Sequence, residues 1–254
     1  MGKNTIITKR AGRLCYQVCC PRISPQDSPQ ERREKRRAST AARALINFRH
    51  AWQKLELILA ANFTHRDLFL TLTFDDEHLP QDRNSAIREA GKFWRQLKAH
   101  LKKNGTDIRY LYNVEEMPDE PGGSRRLHLH AVITADGLTA EAIRTIWGRG
   151  QVYIESLLDG PNDSYESRAR YLCKERHPGE AGRKTGLRAW IPSKNLRQPE
   201  VTTETVPDTL TVQPPPGAYV LDRREEVNWY GSYTFIKYLL PIRQKRPNRP
   251  IKTE

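Results

Sequence analysis

The 254-residue sequence contains few cysteines and has no long apolar segment. Its 4 cysteines are too few for the disulfide scaffold of a secreted domain of this size. No apolar stretch reaches the roughly 18–20 residues that a transmembrane helix requires, and no apolar segment follows the first charged residues, as one would in a signal peptide. These absences argue against a secreted or membrane protein and predict a cytoplasmic one.

Acidic residues are also in deficit. Lys and Arg total 43 against 30 Asp and Glu, which gives a formal charge of +13. Such an excess predicts a polyanionic partner, and nucleic acid is the first candidate. Arg36, Arg37 and Arg43 crowd the first half of a helix that the sequence predicts from residue 31 onward. This run is either a solvated helix face or a surface that contacts DNA phosphates, and we list the three arginines as candidate DNA contacts.

Apolar periodicity predicts helices and strands that alternate along most of the chain. The helix that starts near residue 31 has an apolar face continuing to Leu59. The predicted strands are 68–74, 108–115, 127–134 and 150–155, and further helices are predicted over 86–101, 139–147 and 163–175. This order predicts an α+β fold with a ferredoxin-like or RRM-like antiparallel sheet. We expect the helices to pack on one face of the sheet and the other face to remain accessible.

The domain organisation follows from the segments that lack this periodicity. Residues 1–30 contain several prolines and are predicted to be an irregular N-terminal segment. One domain is expected over 31–240, with a long loop or insertion at about 176–220 and a helix over 231–240. Residues 241–254 form a basic, proline-rich tail.

Two histidines in the third predicted strand provide the strongest local signal. His128 and His130 are two residues apart, so their imidazoles lie side by side on one face of the strand and are able to chelate one divalent ion. Glu115, at the end of the preceding strand, is the candidate third ligand, since the neighbouring Glu116 would point to the other face. Such a set with open positions suits Mg²⁺ or Mn²⁺ bound to a phosphate.

A second signal lies in the helix that follows the fourth strand. Tyr171 and Lys174 are three residues apart and therefore share a helical side, which Arg168 extends by one turn. A tyrosine hydroxyl beside a phosphate bound to a metal ion can act as a nucleophile, and Lys174 could balance the charge that develops. Tyr165 lies six positions from Tyr171, about 600° around the helix, so it is expected to pack or to contact DNA rather than to share this role.

Taken in order, three motifs resemble the HUH endonucleases, specifically the single-tyrosine initiators of rolling-circle plasmids and small single-stranded DNA phages. The motifs are FLTLTF at 69–74, LHLH at 127–130 and YLCK at 171–174, and the resemblance spans roughly residues 45–200. It implies the HUH endonuclease fold and a role for each matching residue. These roles are metal binding for His128, His130 and Glu115, nucleophilic attack for Tyr171, assistance by Lys174, and shaping of the site by Thr71 and Thr73.

The resemblance therefore predicts an endonuclease and strand transferase that acts on single-stranded DNA through a covalent 5′-phosphotyrosine. Its expected substrate is a replication origin, as single strand or hairpin, in a bacterial cell. Thr71, Thr73 and Arg168 are further candidate DNA contacts. No phosphate-binding loop for ATP is present, so a host helicase and polymerase are expected as partners.

Three alternatives to this function remain open. One is a single-tyrosine HUH transposase that uses the same chemistry, and another is a non-catalytic nucleic-acid-binding module on the same fold. The third is a metal-dependent phosphodiesterase without a covalent step, which would apply if Tyr171 were inaccessible. The cysteines leave a further question open, since Cys15, Cys19 and Cys20 either bind zinc or are free thiols.

Overall fold

The computed structural model of the protein describes residues 3–21, 40–103, 105–118, 125–160, 163–173, 190–210, 212–228 and 231–242. The chain forms two compact units. We refer to Met1–Ser24 with Pro199–Glu254 as the terminal unit, and to Pro25–Gln198 as the central unit.

The described residues contain ten strands and four helices. In chain order the strands are β1 (Lys3–Ala11), β2 (Leu14–Pro21), β3 (Leu68–Thr73), β4 (Tyr110–Pro118), β5 (Arg125–Ile133), β6 (Val152–Ser156), β7 (Ile191–Pro192), β8 (Glu200–Pro207), β9 (Tyr219–Asn228) and β10 (Gly231–Leu239). The helices are α1 (Thr40–Asn62), α2 (Arg83–Lys102), α3 (Ala140–Trp147) and α4 (Glu166–Cys173).

The central unit contains one antiparallel sheet of five strands in the order β6-β3-β5-β4-β7. The predicted α+β class and antiparallel sheet are confirmed. The strands and helices predicted between 68 and 173 are present, with ends that differ by a few residues, and the predicted helix end at 174–175 lies outside the described residues. Short local signals set those ends, as at α2, where the Asp82 side chain accepts a hydrogen bond from the Ser85 amide.

One face of this sheet is mostly apolar. Leu70 and Leu72 of β3 and Leu129 of β5 are fully buried in a core shared with α2 and α3. Phe93 of α2 and Trp147 of α3 are the largest fully buried side chains in this core, and their rings meet edge to face at 5.4 Å. The strict alternation of leucine in β3 and β5 produces this face, because alternate residues of a strand point the same way.

The opposite face is divided into an apolar half and a polar half. Phe69, Val132 and Leu111 are cross-strand neighbours at one end, and α1 and α4 cover them. Helices therefore pack on both faces, and the second face is less accessible than the sequence analysis expected. The reason lies in α1, whose apolar side chains from Trp52 to Leu59 need a surface against which to be buried.

The terminal unit forms a second five-stranded sheet, in the order β8-β1-β2-β10-β9. The prediction of an irregular segment over 1–30 is wrong for residues 3–21, which form a regular β-hairpin. The predicted helix over 231–240 is also wrong, because Gly231–Leu239 forms strand β10, which pairs with β2 and β9. The predicted insertion at 176–220 contains strands β7 and β8, and residues from 199 onward group with the N-terminal hairpin, not with the domain expected over 31–240.

No helix among the described residues is long and apolar enough to cross a membrane.

The tight turn between α3 and β6 is hydrogen-bonded to the end of β3. Trp147 Nε1 donates to the Thr73 carbonyl oxygen at 2.9 Å, and the Asp75 amide donates to the Arg149 carbonyl oxygen at 2.8 Å. Gly150 between them has a φ of 150°, and a Cβ atom there would lie only 2.5 Å from the Thr73 oxygen. This approach of two backbones requires glycine.

We expect Gly150→Ala to lower the free energy of unfolding by about 1–3 kcal/mol, because the methyl group strains the turn or displaces β3. Gly91→Ala is the matched control. A Cβ at Gly91 in α2 meets nothing within 4 Å, so this change should raise stability by about 0.5–1 kcal/mol. Urea unfolding measures both, and equal effects of the two substitutions would contradict the assigned role of Gly150.

Candidate active site

The polar half of the second sheet face consists of two rows of side chains that run across three strands. In the pairing of β3, β5 and β4, Thr71 and Asn113 flank His130, and Thr73 and Glu115 flank His128. Directly opposed residues in antiparallel strands point to the same face, with Cβ atoms about 4.5–5.5 Å apart. The register therefore places the two histidines and Glu115 together. Glu116 pairs with Leu127 and belongs to the other face, as predicted.

Glu115, His128 and His130 form a compact buried group. His130 Nε2 lies 3.0 Å from His128 Nε2 and 3.0 Å from Glu115 Oε2, and His128 Nε2 lies 3.5 Å from the same oxygen. All three side chains are buried. This group could hold a metal ion, and it is the one such cluster among the residues that the structure describes.

The chemistry of this donor set fits a divalent cation. Two imidazole nitrogens that face each other at 3.0 Å repel through their lone pairs unless a proton or cation lies between them. Ligands at adjacent positions of an octahedral ion with bonds of about 2.1 Å are about 3 Å apart, which matches the spacing of these atoms. Two imidazoles and one carboxylate leave further positions open for substrate oxygens.

Thr71 orients one of the two imidazoles. Its Oγ1 lies 3.0 Å from His130 Nδ1, on the opposite side of the ring from Glu115 and His128. When Nδ1–H donates to this hydroxyl, the lone pair of Nε2 is directed at the cluster. Thr73 lies one row further along β3, where its hydroxyl accepts a hydrogen bond from the Gln151 amide at 3.0 Å.

Tyr171 reaches the cluster from α4. Its hydroxyl lies 3.0 Å from His130 Nε2, and its ring contacts the rings of His130 and Phe69 with centroids 4.8 and 6.0 Å apart. The side chain is 37% exposed, so a substrate can approach it. The position of α4 follows from Ala169 and Leu172, which are buried against α1 and the apolar half of the sheet face.

Arg168 of α4 and Tyr165, the residue just before α4, are also described. Arg168 shares the side of Tyr171: its guanidinium lies 4.3 Å from the Phe69 ring centre and bonds Glu155 Oε2 at 2.8 Å. Tyr165 packs in the core, and its hydroxyl donates to the Phe63 carbonyl oxygen at 2.6 Å. Burial raises the pKa of Tyr165 well above its usual value, and this disfavours it as a nucleophile.

Several candidate residues cannot be placed at the site. Lys174, Arg36 and Arg37 lie outside the described residues, as does the side chain of Arg43. Their roles stay predictions.

Asn113 is a site residue that the sequence analysis missed. It lies opposite His130 in the sheet and is 1% exposed, and its Nδ2 donates to the Leu172 carbonyl oxygen at 3.3 Å. This bond ties the last turn of α4, next to Tyr171, to the strand that carries Glu115. A single asparagine within a predicted strand offers no pattern from which this contact could have been inferred.

The cysteines show little sign of binding metal. Cys15 and Cys19 are buried in the terminal unit, and burial raises the pKa of both thiols, which opposes formation of the thiolates that zinc requires. Within the described part of the chain, no group of metal-binding side chains includes them.

The α+β unit, its Glu-His-His group and the adjacent tyrosine define a candidate metal-dependent site. Residues 67–177 match the family described as Replication-associated protein ORF2/G2P. This stretch is less than half of the chain, and it contains β3 to α4 with every side chain of the cluster. The match supports a relationship between this stretch and the rolling-circle replication initiators. No curated protein and no solved structure matches the chain.

We expect Thr71→Val to weaken Mn²⁺ binding about 10- to 100-fold, because the nearly isosteric valine cannot hold His130 through its Nδ1. Isothermal titration calorimetry measures the affinity. Thr73→Val is the matched control, since it removes a hydroxyl from the same face of the same strand, and this hydroxyl bonds the Gln151 backbone. Equal loss of affinity in both variants would contradict the assigned role of Thr71.

Proposed function

We propose that the protein is a metal-dependent endonuclease and strand transferase that nicks single-stranded DNA at a replication origin and initiates rolling-circle replication. The observation that carries this proposal is the 3.0 Å approach of the Tyr171 hydroxyl to His130 within a buried group suited to a divalent ion. The family match over 67–177 supports the biological context.

In the proposed reaction, Glu115, His128 and His130 would hold Mg²⁺ or Mn²⁺. When bound, the ion would polarise a non-bridging oxygen of the scissile phosphate. Tyr171 is the nucleophile: a bond forms between its hydroxyl oxygen and phosphorus, and the bond from phosphorus to the 3′ oxygen breaks. The phenol loses one proton and the 3′ oxygen gains one, so the step consumes neither water nor nucleotide.

The products follow from this balance. The 5′ end of the cut strand stays attached to Tyr171, and the free 3′-hydroxyl is available to a polymerase. A later 3′-hydroxyl can attack the phosphotyrosine and rejoin two strands, because the phosphodiester energy is conserved in the adduct. Lys174 is proposed to balance charge on the phosphate. The residues proposed to contact the DNA strand are Arg168, Thr73, Arg36, Arg37 and Arg43. Unwinding is assigned to a host helicase.

The burial of the cluster favours an enzyme over a non-catalytic binding module. Two imidazoles and a carboxylate lie within contact distance of one another in a site that is largely closed to water, and the loss of their hydration costs free energy that their mutual contacts and a bound ion would offset. A module that only binds nucleic acid would need the positive charge of the surface but not this group. The position of this group next to Tyr171 suits chemistry at a phosphate.

We expect the wild-type protein to form a covalent adduct with single-stranded DNA from its own replicon in the presence of Mn²⁺ or Mg²⁺. The adduct should be absent with EDTA and absent in Tyr171→Phe, which lacks the attacking oxygen. Denaturing gel electrophoresis of labelled oligonucleotides detects it. His128→Ala should abolish it as well, because the ion loses a ligand.

Tyr165→Phe is the control for the nucleophile. It removes a tyrosine hydroxyl from the segment leading into the same helix, but one that is bonded inside the core. Circular dichroism verifies that each variant is folded. Adduct formation that persists in Tyr171→Phe and disappears in folded Tyr165→Phe would overturn the assignment, and binding without any adduct would favour the non-catalytic module.

A further inference from the structure

A second tyrosine lies on the same sheet face as the candidate active site. Tyr153 is in β6, at the edge of the central sheet, and it pairs directly with Thr71 of β3. Directly opposed residues of antiparallel strands point the same way, so Tyr153 continues the row formed by Thr71, His130 and Asn113. With neighbouring strands about 4.8 Å apart, its backbone is about 10 Å from that of His130.

The exposure of Tyr153 is unusual for this unit. Its side chain is 58% exposed, whereas Phe69, one row further along the same face, is 3% exposed. Among the described residues of the central unit, the large apolar or aromatic side chains that are exposed are Tyr153 and Tyr171. Scattered exposed aromatics need no explanation, but here Tyr171 contacts the His130 ring and Tyr153 lies in the same cross-strand row as His130.

The surroundings of Tyr153 suit a nucleic acid strand. Glu155, two residues along β6, lies on the same face, and its carboxylate is paired with the Arg168 guanidinium at 2.8 Å. This pairing reduces the repulsion that a free carboxylate would exert on a phosphate backbone. An exposed tyrosine ring offers a flat apolar surface at small entropic cost, and any unpaired base can stack on it.

We infer that Tyr153 stacks on an unpaired base adjacent to the scissile phosphate and thereby positions the strand for attack by Tyr171. Tyr153 is a positioning residue and takes no part in bond making. The identity of the strand as single-stranded DNA rests on the proposed function. The stacking role follows from the register, the exposure and the paired charge next to the ring.

The test measures the affinity of Tyr153 variants for a fluorescein-labelled single-stranded oligonucleotide of about 16 nucleotides, by fluorescence anisotropy at fixed salt. The oligonucleotide spans the position at which the adduct forms, or has mixed sequence if no adduct forms. Tyr153→Ala should bind about 5- to 150-fold more weakly, the range expected for loss of one stacked base. Tyr153→Phe and Tyr153→Trp should retain the affinity, because both keep a stacking ring.

An abasic scan identifies the stacked base. Each nucleotide in turn is replaced by an abasic residue, and wild type is compared with Tyr153→Ala. At one position the difference between the two proteins should disappear, because no base remains to stack. Tyr219→Ala is the matched control: Tyr219 is 59% exposed on β9 of the terminal unit, and its loss should leave the affinity unchanged.

The outcomes separate this inference from the proposed function. If wild type forms the adduct but Tyr153→Ala binds and reacts like wild type, the stacking role is overturned while the nicking activity stands. If Tyr153→Phe is as defective as Tyr153→Ala, the hydroxyl matters and stacking is also overturned. A third outcome is that no adduct forms, that Tyr153→Ala binds the oligonucleotide more weakly than wild type, and that Tyr153→Phe binds it as tightly as wild type. This outcome supports the stacking role but not the nicking activity.

Discussion

The cross-strand register of β3, β5 and β4 is the constraint on which the candidate site depends. It places His130 between Thr71 and Asn113, and His128 between Thr73 and Glu115. A slip of one residue in any of these strands would turn the polar side chains of that strand toward the leucine core. Such a slip would bury unpaired polar groups and expose leucines. The core with α2 and α3 therefore specifies the geometry of the Glu115, His128 and His130 group on the opposite face.

The second face of the central sheet both packs against helices and carries the candidate active site. Its apolar half binds α1 and α4, and its polar half holds Glu115, His128 and His130. Because α4 packs on the apolar half, Tyr171 near its end reaches across the boundary to His130. The hydrogen bond from Asn113 to Leu172 holds the same turn from the strand side. The cluster and the proposed nucleophile thus come from separate elements that a single sheet aligns.

Much of this site could be predicted from local sequence. The two-residue spacing of the histidines, the parity of Glu115 over Glu116 and the helical side shared by Arg168 and Tyr171 all follow from fixed periodicities. Asn113 and Tyr153 could not be found this way. Their importance depends on which residues lie opposite them in neighbouring strands, and sequence spacing alone does not fix that pairing.

The terminal unit was missed for a different physical reason. Its sheet pairs β2 with β10 and β1 with β8, contacts between segments about 200 residues apart in the chain. No local pattern reports such pairing. In addition, the spacing from Tyr233 to Leu240 fits a helix almost as well as a strand, and the prolines near residue 21 suggested a loop.

The turn from Trp147 to Gln151 also limits which changes in chain length the protein can accommodate. Its side-chain and backbone hydrogen bonds clamp the end of β3 at Thr73, and Gly150 fills the remaining space between the two backbones. Inserting or deleting one residue in this turn would shift β6 against β3, and this shift would displace Thr71 and its neighbour His130. A segment that contributes no side chain to the cluster therefore has as little freedom to change length as the strands that carry it.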